Sequence, residues 1–396
     1  MTATAIRDVA KNLLLFLALA TLPIFIARHP REVQKGTDFP EFYAAAKIVG
    51  AGHGHELYLS RTQDEFQVRY FGGVGTYFNH PPFELLLYLP LTFWPPPYAH
   101  WLWCVFNIGL LFAVARLLGR YVLKGFAWRV VLLSFFMFVP LLLDFLHGQD
   151  SVILLLMLVS AFVALRKKHE FAGGCLLACG LFRPHLVLPV LIALLPGTGR
   201  KLLAGFASVA ILLSLLSTAI CGWDVFTAYP RFVWQTQSLP LAGIHPEQMA
   251  NLRGLMLRLF PGRVPIEIGL TLIGSLLVLS LAIRGWTTAE RCANGSADLA
   301  FANAVIAATL VGYHLSPHDL TILLLPLTLI FNYVLTTTGI PTWMRATLIT
   351  TLGAVFLPPV DLLLVREHLY AFASLPILML FCLTHVELRR SAANGE

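Results

Sequence analysis

A few short stretches of this chain hold residue types that can do chemistry, and the chain between them is mostly apolar. Asp38 precedes a mixed run. Asn79-His80 leads into Pro81-Pro82, with Glu84 close behind. His147, Gln149 and Asp150 share one turn, and Arg183 and His185 flank Pro184. Asn251 and Arg253 come close together, and His314, His318 and Asp319 close the series. A carboxylate such as Asp38 can act as general base, taking the proton of a hydroxyl as its oxygen attacks. Arg183, with Arg253 or His318, can hold a phosphate by charge-assisted hydrogen bonds and take up the charge that grows on it as it leaves. These are the parts of a group transfer from a lipid phosphate to a sugar hydroxyl. A guanidinium can stand where a metal would, so neither metal nor cofactor is expected. His80, Glu84, Gln149, Asp150, His185 and Asp319 are further polar groups able to bind substrate.

Each residue also has a plainer reading. Asp38 could cap a helix over 40–51, since Asp is a strong N-cap. His80 could simply precede the Pro-Pro turn, and Glu84 could reach the membrane surface. Gln149 and Asp150 could start the helix at 151. Arg253 could face lipid headgroups, and His318 with Asp319 could pair as a cap. Arg183 resists such a reading, because a basic residue in the middle of an apolar segment needs an anionic partner. Trp223 and Trp234 could stack on sugar.

The elements that must position these residues are membrane helices. Of the 396 residues, 57% are hydrophobic and 12% charged, with a mean hydropathy of +0.74. A soluble domain carries about 25% charged residues. That excludes an ordinary soluble enzyme, a disordered chain and a coiled coil. Long continuous apolar runs exclude an outer-membrane barrel. The fold class is an all-α polytopic membrane protein.

Spans are expected near 12–28, 97–117, 130–147, 151–165, 202–221, 264–284, 298–315, 319–338, 343–363 and 368–386. Segment 171–196 carries Arg183 at its centre and basic residues on both flanks, so it reads as two short helices, 171–182 and 184–196, turning at Arg183-Pro184-His185. That gives about twelve crossings. Arg and Lys gather in one set of connections, at Arg7 and Lys11, 116–129, 166–168, 200–201, Arg284 and Arg291, Arg345, and Arg389-Arg390. By the positive-inside rule these lie in the cytoplasm, with both termini. The net charge of +7 therefore points to membrane lipid and not to nucleic acid.

The whole chain, 1–396, reads as a single integral membrane domain. Two long loops, 29–96 and 222–263, then lie on the extracytoplasmic side with the polar residues. The first is expected to carry short surface helices over 40–51 and 62–71. Residues 83–93 are too short to span.

The ordered set of motifs resembles glycosyltransferase family 87 of the GT-C class, integral membrane enzymes that use polyprenyl-phosphate sugars. The pieces are Asp38-Phe39, Phe42-Tyr43, Ala45-Ala46 and His55-Glu56-Leu57-Tyr58; Asn79-His80-Pro81-Pro82-Phe83 with Leu89-Pro90-Leu91; Gly148-Gln149-Asp150-Ser151; Ala172-Gly173-Gly174 leading to Arg183-Pro184; and Ser316-Pro317-His318. The resemblance implies a GT-C fold, with Asp38 as catalytic base. It implies a polyprenyl-phosphate-mannose donor, inversion without metal, and an α-mannosidic product on a glycolipid or glycan of the cell envelope. A lipid-linked-sugar flippase or transporter is the alternative. It would place ionisable residues through the bilayer and show internal symmetry, and neither is clear in the sequence.

Overall fold

The computed structural model describes residues 36–236, 245–291 and 296–393, and every regular element among them is helical. The expected span over 12–28 and the amino terminus lie outside the described residues. In chain order the helices are α1 (Phe39–Gly50), α2 (Ser60–Phe71), α3 (Pro96–Tyr121), α4 (Trp128–Phe135), α5 (Val139–His147), α6 (Ser151–Arg166), α7 (Glu170–Ala178), α8 (Pro184–Cys221), α9 (Val225–Thr236), α10 (Leu252–Leu259), α11 (Val264–Arg291), α12 (Ser296–Val311), α13 (Leu324–Thr336), α14 (Thr342–Phe356), α15 (Pro358–Arg366) and α16 (Ser374–Ala393). Short helical turns fill Pro82–Glu84, Leu85–Tyr88 and Leu89–Phe93, and tighter turns precede α13 at Pro317–Leu323 and α16 at Tyr370–Ala373.

Among the described residues, five helical stretches are long and apolar enough to cross a membrane: Pro96–Tyr121, Pro184–Cys221, Val264–Ala289, Pro317–Thr336 and Tyr370–Ala393. Counting the bent pairs α4–α5 (73°) and α14–α15 (51°) as one span each raises this to seven. The protein is thus a multi-pass membrane protein. Helices also stand at the other expected positions from 151 onward, but they are short. α6 and α12 have 16 residues each, about 24 Å of helix against a hydrocarbon core of about 30 Å. The expected break between 196 and 202 falls at Gly199, where α8 leaves helical geometry.

The chain divides into two compact units. One takes in Met1–Phe112, Leu142–Asp150 and Ala210–Ile244, and the other Ala113–Leu141, Ser151–Val209 and His245–Glu396. In the first, α1, expected as a short helix along the membrane surface, forms part of the core. Phe39, Phe42, Tyr43 and the alanines 44–46 are all buried. Phe42 stacks on Tyr88 at 4.6 Å and Phe39 on His100 at 4.4 Å, and each such ring is worth about 1.5–3 kcal/mol when buried. α2 buries only one face, which carries two glutamines one turn apart. Gln63 donates to the carbonyls of Leu57 (2.8 Å) and Phe78 (3.1 Å) and accepts from the Phe78 amide (2.8 Å). Gln67 donates to the Thr76 carbonyl (2.8 Å) and accepts from the Gly75 amide (2.7 Å). The two amides thus satisfy backbone groups of the irregular segment that leads to His80.

In the second unit the alanine-rich α12 is buried along most of its length and packs against α11, α13 and α16. Small side chains allow that close approach, and one polar residue ties it: Asn303 donates to the Phe381 carbonyl (3.0 Å) and to the Thr384 hydroxyl (2.8 Å). α7 lies against α8 with no room for side chains between. A Cβ on Gly174 would run into the Leu202 carbonyl, and one on Gly205 into that of Phe171. α6 backs the Pro317–Leu323 turn, which carries His318 and Asp319.

Candidate active site

In the first unit, Asp38 sits one residue before α1. Its backbone is helical (φ −88°, ψ −12°), and its side chain makes no capping hydrogen bond. The capping reading therefore fails, and the carboxylate is turned elsewhere. Gln149 Nε2 donates to Asp38 Oδ2 at 2.7 Å, and His147 Nδ1 lies 3.1 Å from the same oxygen. An ionised carboxylate only accepts, so Nδ1 carries the proton in that contact. Two donors on one oxygen set the direction of the whole carboxyl group. Asp38 and His147 remain partly accessible, with side chains 22% and 30% exposed, whereas Gln149 is buried.

The turn that supplies both donors is clamped by its backbone. The Tyr88 hydroxyl donates to the Gly148 carbonyl (3.1 Å), and Trp103 Nε1 donates to that of Gln149 (3.0 Å). His100 Nε2 lies 3.2 Å from the Phe145 carbonyl. Gly148 has φ +67°, and a Cβ there would fall 2.7 Å from the Phe39 ring. Phe39 follows Asp38 directly, so the missing Cβ lets the turn close down on the start of α1.

Still in the first unit, His80 lies between two buried glutamates. Nδ1 is 3.1 Å from Glu84 and Nε2 is 3.9 Å from Glu41. Its ring also stacks on Phe78 at 5.5 Å. Its backbone carbonyl accepts from the Tyr58 hydroxyl at 2.6 Å. Burial pushes the Tyr58 phenol well above its ordinary value, so it stays a donor. Glu41 was missed in the sequence. Its signal was there: an acid three residues after Asp38 in an otherwise apolar run.

In the second unit, the turn after α12 is the hub. Ser316 and Asp319 form a reciprocal capping box, the Ser316 amide donating to Asp319 Oδ2 at 2.7 Å. Asp319 Oδ1 lies 3.8 Å from Arg183 and 3.9 Å from His318. At those lengths the contacts are ion pairs, not hydrogen bonds. Arg183 is buried, and Asp319 is an anionic partner to it within the protein. His185 packs edge-on to His314, ring centres 6.1 Å apart. Asn251 caps α10 by accepting from the Gly254 amide (2.8 Å) and donates to the Gly312 carbonyl (2.7 Å). Arg253 donates to the Tyr313 carbonyl (3.1 Å), its guanidinium 4.3 Å from that ring.

The expected residues thus fall into groups: Asp38 with Gln149, His80 with Glu84, and Arg183 with His318, Asp319 and, through the neighbouring turn, His185 and Arg253. Asp150 is wholly buried, and Glu84 and Asp319 nearly so, which suits holding neighbours better than touching substrate. The chemistry available is a partly exposed, oriented carboxylate in one unit and a buried guanidinium with imidazoles in the other.

Residues 78–317, more than half of the chain, match the family model described as glycosyltransferase family 87, and the chain belongs to that family. The matched stretch holds His80, Glu84, Gln149, Asp150, Arg183, His185 and Arg253, and stops short of Asp38, His318 and Asp319. No curated protein matches the chain.

Proposed function

From membership of that family, which makes the protein a membrane glycosyltransferase, we propose that it moves a hexosyl unit, a mannosyl unit by preference, from a polyprenyl-phosphate donor. The acceptor is a hydroxyl of a glycolipid or glycan at the outer leaflet. We assign it a GT-C fold of about twelve crossings, both termini in the cytoplasm, and a site on the extracytoplasmic side built on the loops over 29–96 and 222–263. The observation that carries the reading is the Asp38 carboxylate, unused as a cap and aimed by Gln149 and His147.

The acceptor hydroxyl gives its proton to Asp38 as its oxygen bonds to the anomeric carbon. The bond from that carbon to the phosphate oxygen breaks, and the electron pair leaves with the lipid phosphate. Attack from the face opposite the phosphate turns a β-linked donor into an α-linked product. Arg183, His318 and Arg253 bind the donor phosphate, Arg183 supplying the charge a metal would. Asp319 holds Arg183 and His318 in place. His80 and His185 approach substrate, while Glu84, Gln149 and Asp150 support them and Asp38.

The test is incubation of purified protein in lipid with labelled polyprenyl-phosphate mannose, matched glucose and galactose donors, and candidate glycolipids. A mannosylated lipid of α configuration, formed in the presence of a chelator, is expected. Transfer only from a nucleotide-sugar donor, or loss of all transfer on chelation, would contradict the reading.

A further inference from the structure

The helix α9 has two faces of unlike chemistry. Val225, Phe232 and Thr236 are buried and Tyr229 is partly so. Tyr229 packs on Tyr58 at 5.4 Å, and Phe232 packs on Tyr58 at 5.7 Å and on Tyr77 at 6.1 Å. At about 100° per residue, the opposite face carries Phe226, Pro230 and Trp234, continued by Trp223 in the turn just ahead. Trp223 is 75% exposed and Trp234 80%, with Thr227 and Arg231 exposed beside them.

That exposed face differs from the outward faces of the spans. α11 exposes Leu272, Ile273, Leu276 and Leu277, the mark of contact with hydrocarbon. Tryptophan and phenylalanine mixed with Arg, Thr and Pro belong instead to the boundary between headgroups and acyl chains, where an indole can bury its ring and keep its N–H wet. The position in the chain agrees. From Arg200 to Cys221, α8 runs about 32 Å, one hydrocarbon thickness. Gly222, at φ +81°, then turns the chain directly into α9.

We infer that α9 is an interfacial helix whose Trp223–Phe226–Pro230–Trp234 face seats in the headgroup-to-acyl boundary of one leaflet. Through Tyr229 and Phe232 against Tyr58, and Tyr58 against the His80 carbonyl, it fixes the depth of the first unit's His80 region relative to the lipid. A donor phosphate carried on a lipid sits at that same depth. Only this last consequence rests on the glycosyltransferase reading. The occupant of the aromatic face is the bilayer itself and not a sugar.

The test uses the full-length protein in phosphatidylcholine vesicles. Some lipids carry bromine near the headgroup end of the acyl chain, others near its tip. Tryptophan quenching in the wild type is compared with the W223F/W234F variant, whose changes fall on exposed side chains. Shallow bromines are expected to quench the wild type more than deep ones, and the double variant is expected to lose that shallow component. A nitroxide at Thr227 through T227C is expected to report a shallow immersion depth. In the same vesicles W223A/W234A is expected to lower transfer from a long-chain lipid donor several-fold, with the rate in detergent micelles unchanged. Equal quenching in wild type and double variant together with a water-exposed nitroxide would overturn the proposal. So would quenching of this pair that a water-soluble mannoside abolishes, which would make the face a sugar platform. Interfacial quenching with no transfer activity in any preparation would leave the seat standing and count against the enzyme assignment alone.

Discussion

Gly148→Ala puts the positioning of Asp38 under the most direct strain. The new methyl group meets two costs. Alanine at φ +67° costs about 1 kcal/mol. The Cβ also falls 2.7 Å from Phe39, where ordinary contact begins at 3.4 Å, and overpacking of that kind costs about 1–3 kcal/mol. If the ring retreats, it must do so by about 0.7 Å, and Asp38 is its chain neighbour. A shift of the same size in Asp38 stretches the 2.7 Å bond from Gln149 to the edge of hydrogen-bond length. Misplacement approaching 1 Å at a reacting group can cost on the order of 100-fold, so a drop in kcat of about 10- to 100-fold is expected. The assays are thermal unfolding by intrinsic fluorescence and initial-rate transfer at saturating donor, both in nanodiscs. Gly148→Asn separates the costs, since Asn tolerates positive φ but keeps the Cβ. It is expected to recover part of the stability and little of the activity. Wild-type transfer by Gly148→Ala, with unfolding also unchanged, would refute the link from Gly148 through Phe39 to Asp38.

Other outcomes follow from the same contacts. Removing the donor at 147 by His147→Ala is expected to lower kcat by about 10-fold or more, since a hydrogen bond to a charged group is worth about 1.5–3 kcal/mol. His147→Asn, whose amide can reach the same oxygen, is expected to keep most of it. Arg183→Ala leaves Asp319 buried beside one fewer cation and is expected to destabilise the protein by about 3–5 kcal/mol. R183M/D319N is expected to recover stability but not donor binding, measured by titration of a polyprenyl phosphate. Asn251→Ala removes a cap and a bond to the Gly312 carbonyl. It is expected to cost roughly 2–4 kcal/mol in unfolding while the folded fraction keeps its donor affinity.

Local pattern made the helices readable. Apolar runs and proline breaks placed α3, α8, α11 and α13 close to where they stand, and the pause before Arg200 is the Gly199 kink. How fully α1 is buried was not legible, for a physical reason. Its apolar positions at helical spacing mark a helix, but the rings that cover it come from Tyr88 and His100, far along the chain. The same holds at the site. Asp38 could be flagged by type and place, but its neighbours His147 and Gln149 lie more than a hundred residues away, and no spacing rule reaches that far. Arg183 in an apolar segment calls for an anion, and lipid phosphate is the simplest one to expect from the sequence. Asp319 supplies one within the protein, and it doubles as a helix cap that sequence pattern could foresee.

The central assignment is Asp38 as the base, and Asp38→Asn tests it with almost no change in shape. Purified variant and wild type are compared in one lipid preparation for single-turnover transfer of labelled mannose, with donor binding and unfolding measured alongside. A loss of about 10²- to 10⁴-fold in transfer, with donor affinity and stability held, is the predicted result. Transfer at the wild-type rate by the folded, donor-bound variant would contradict it.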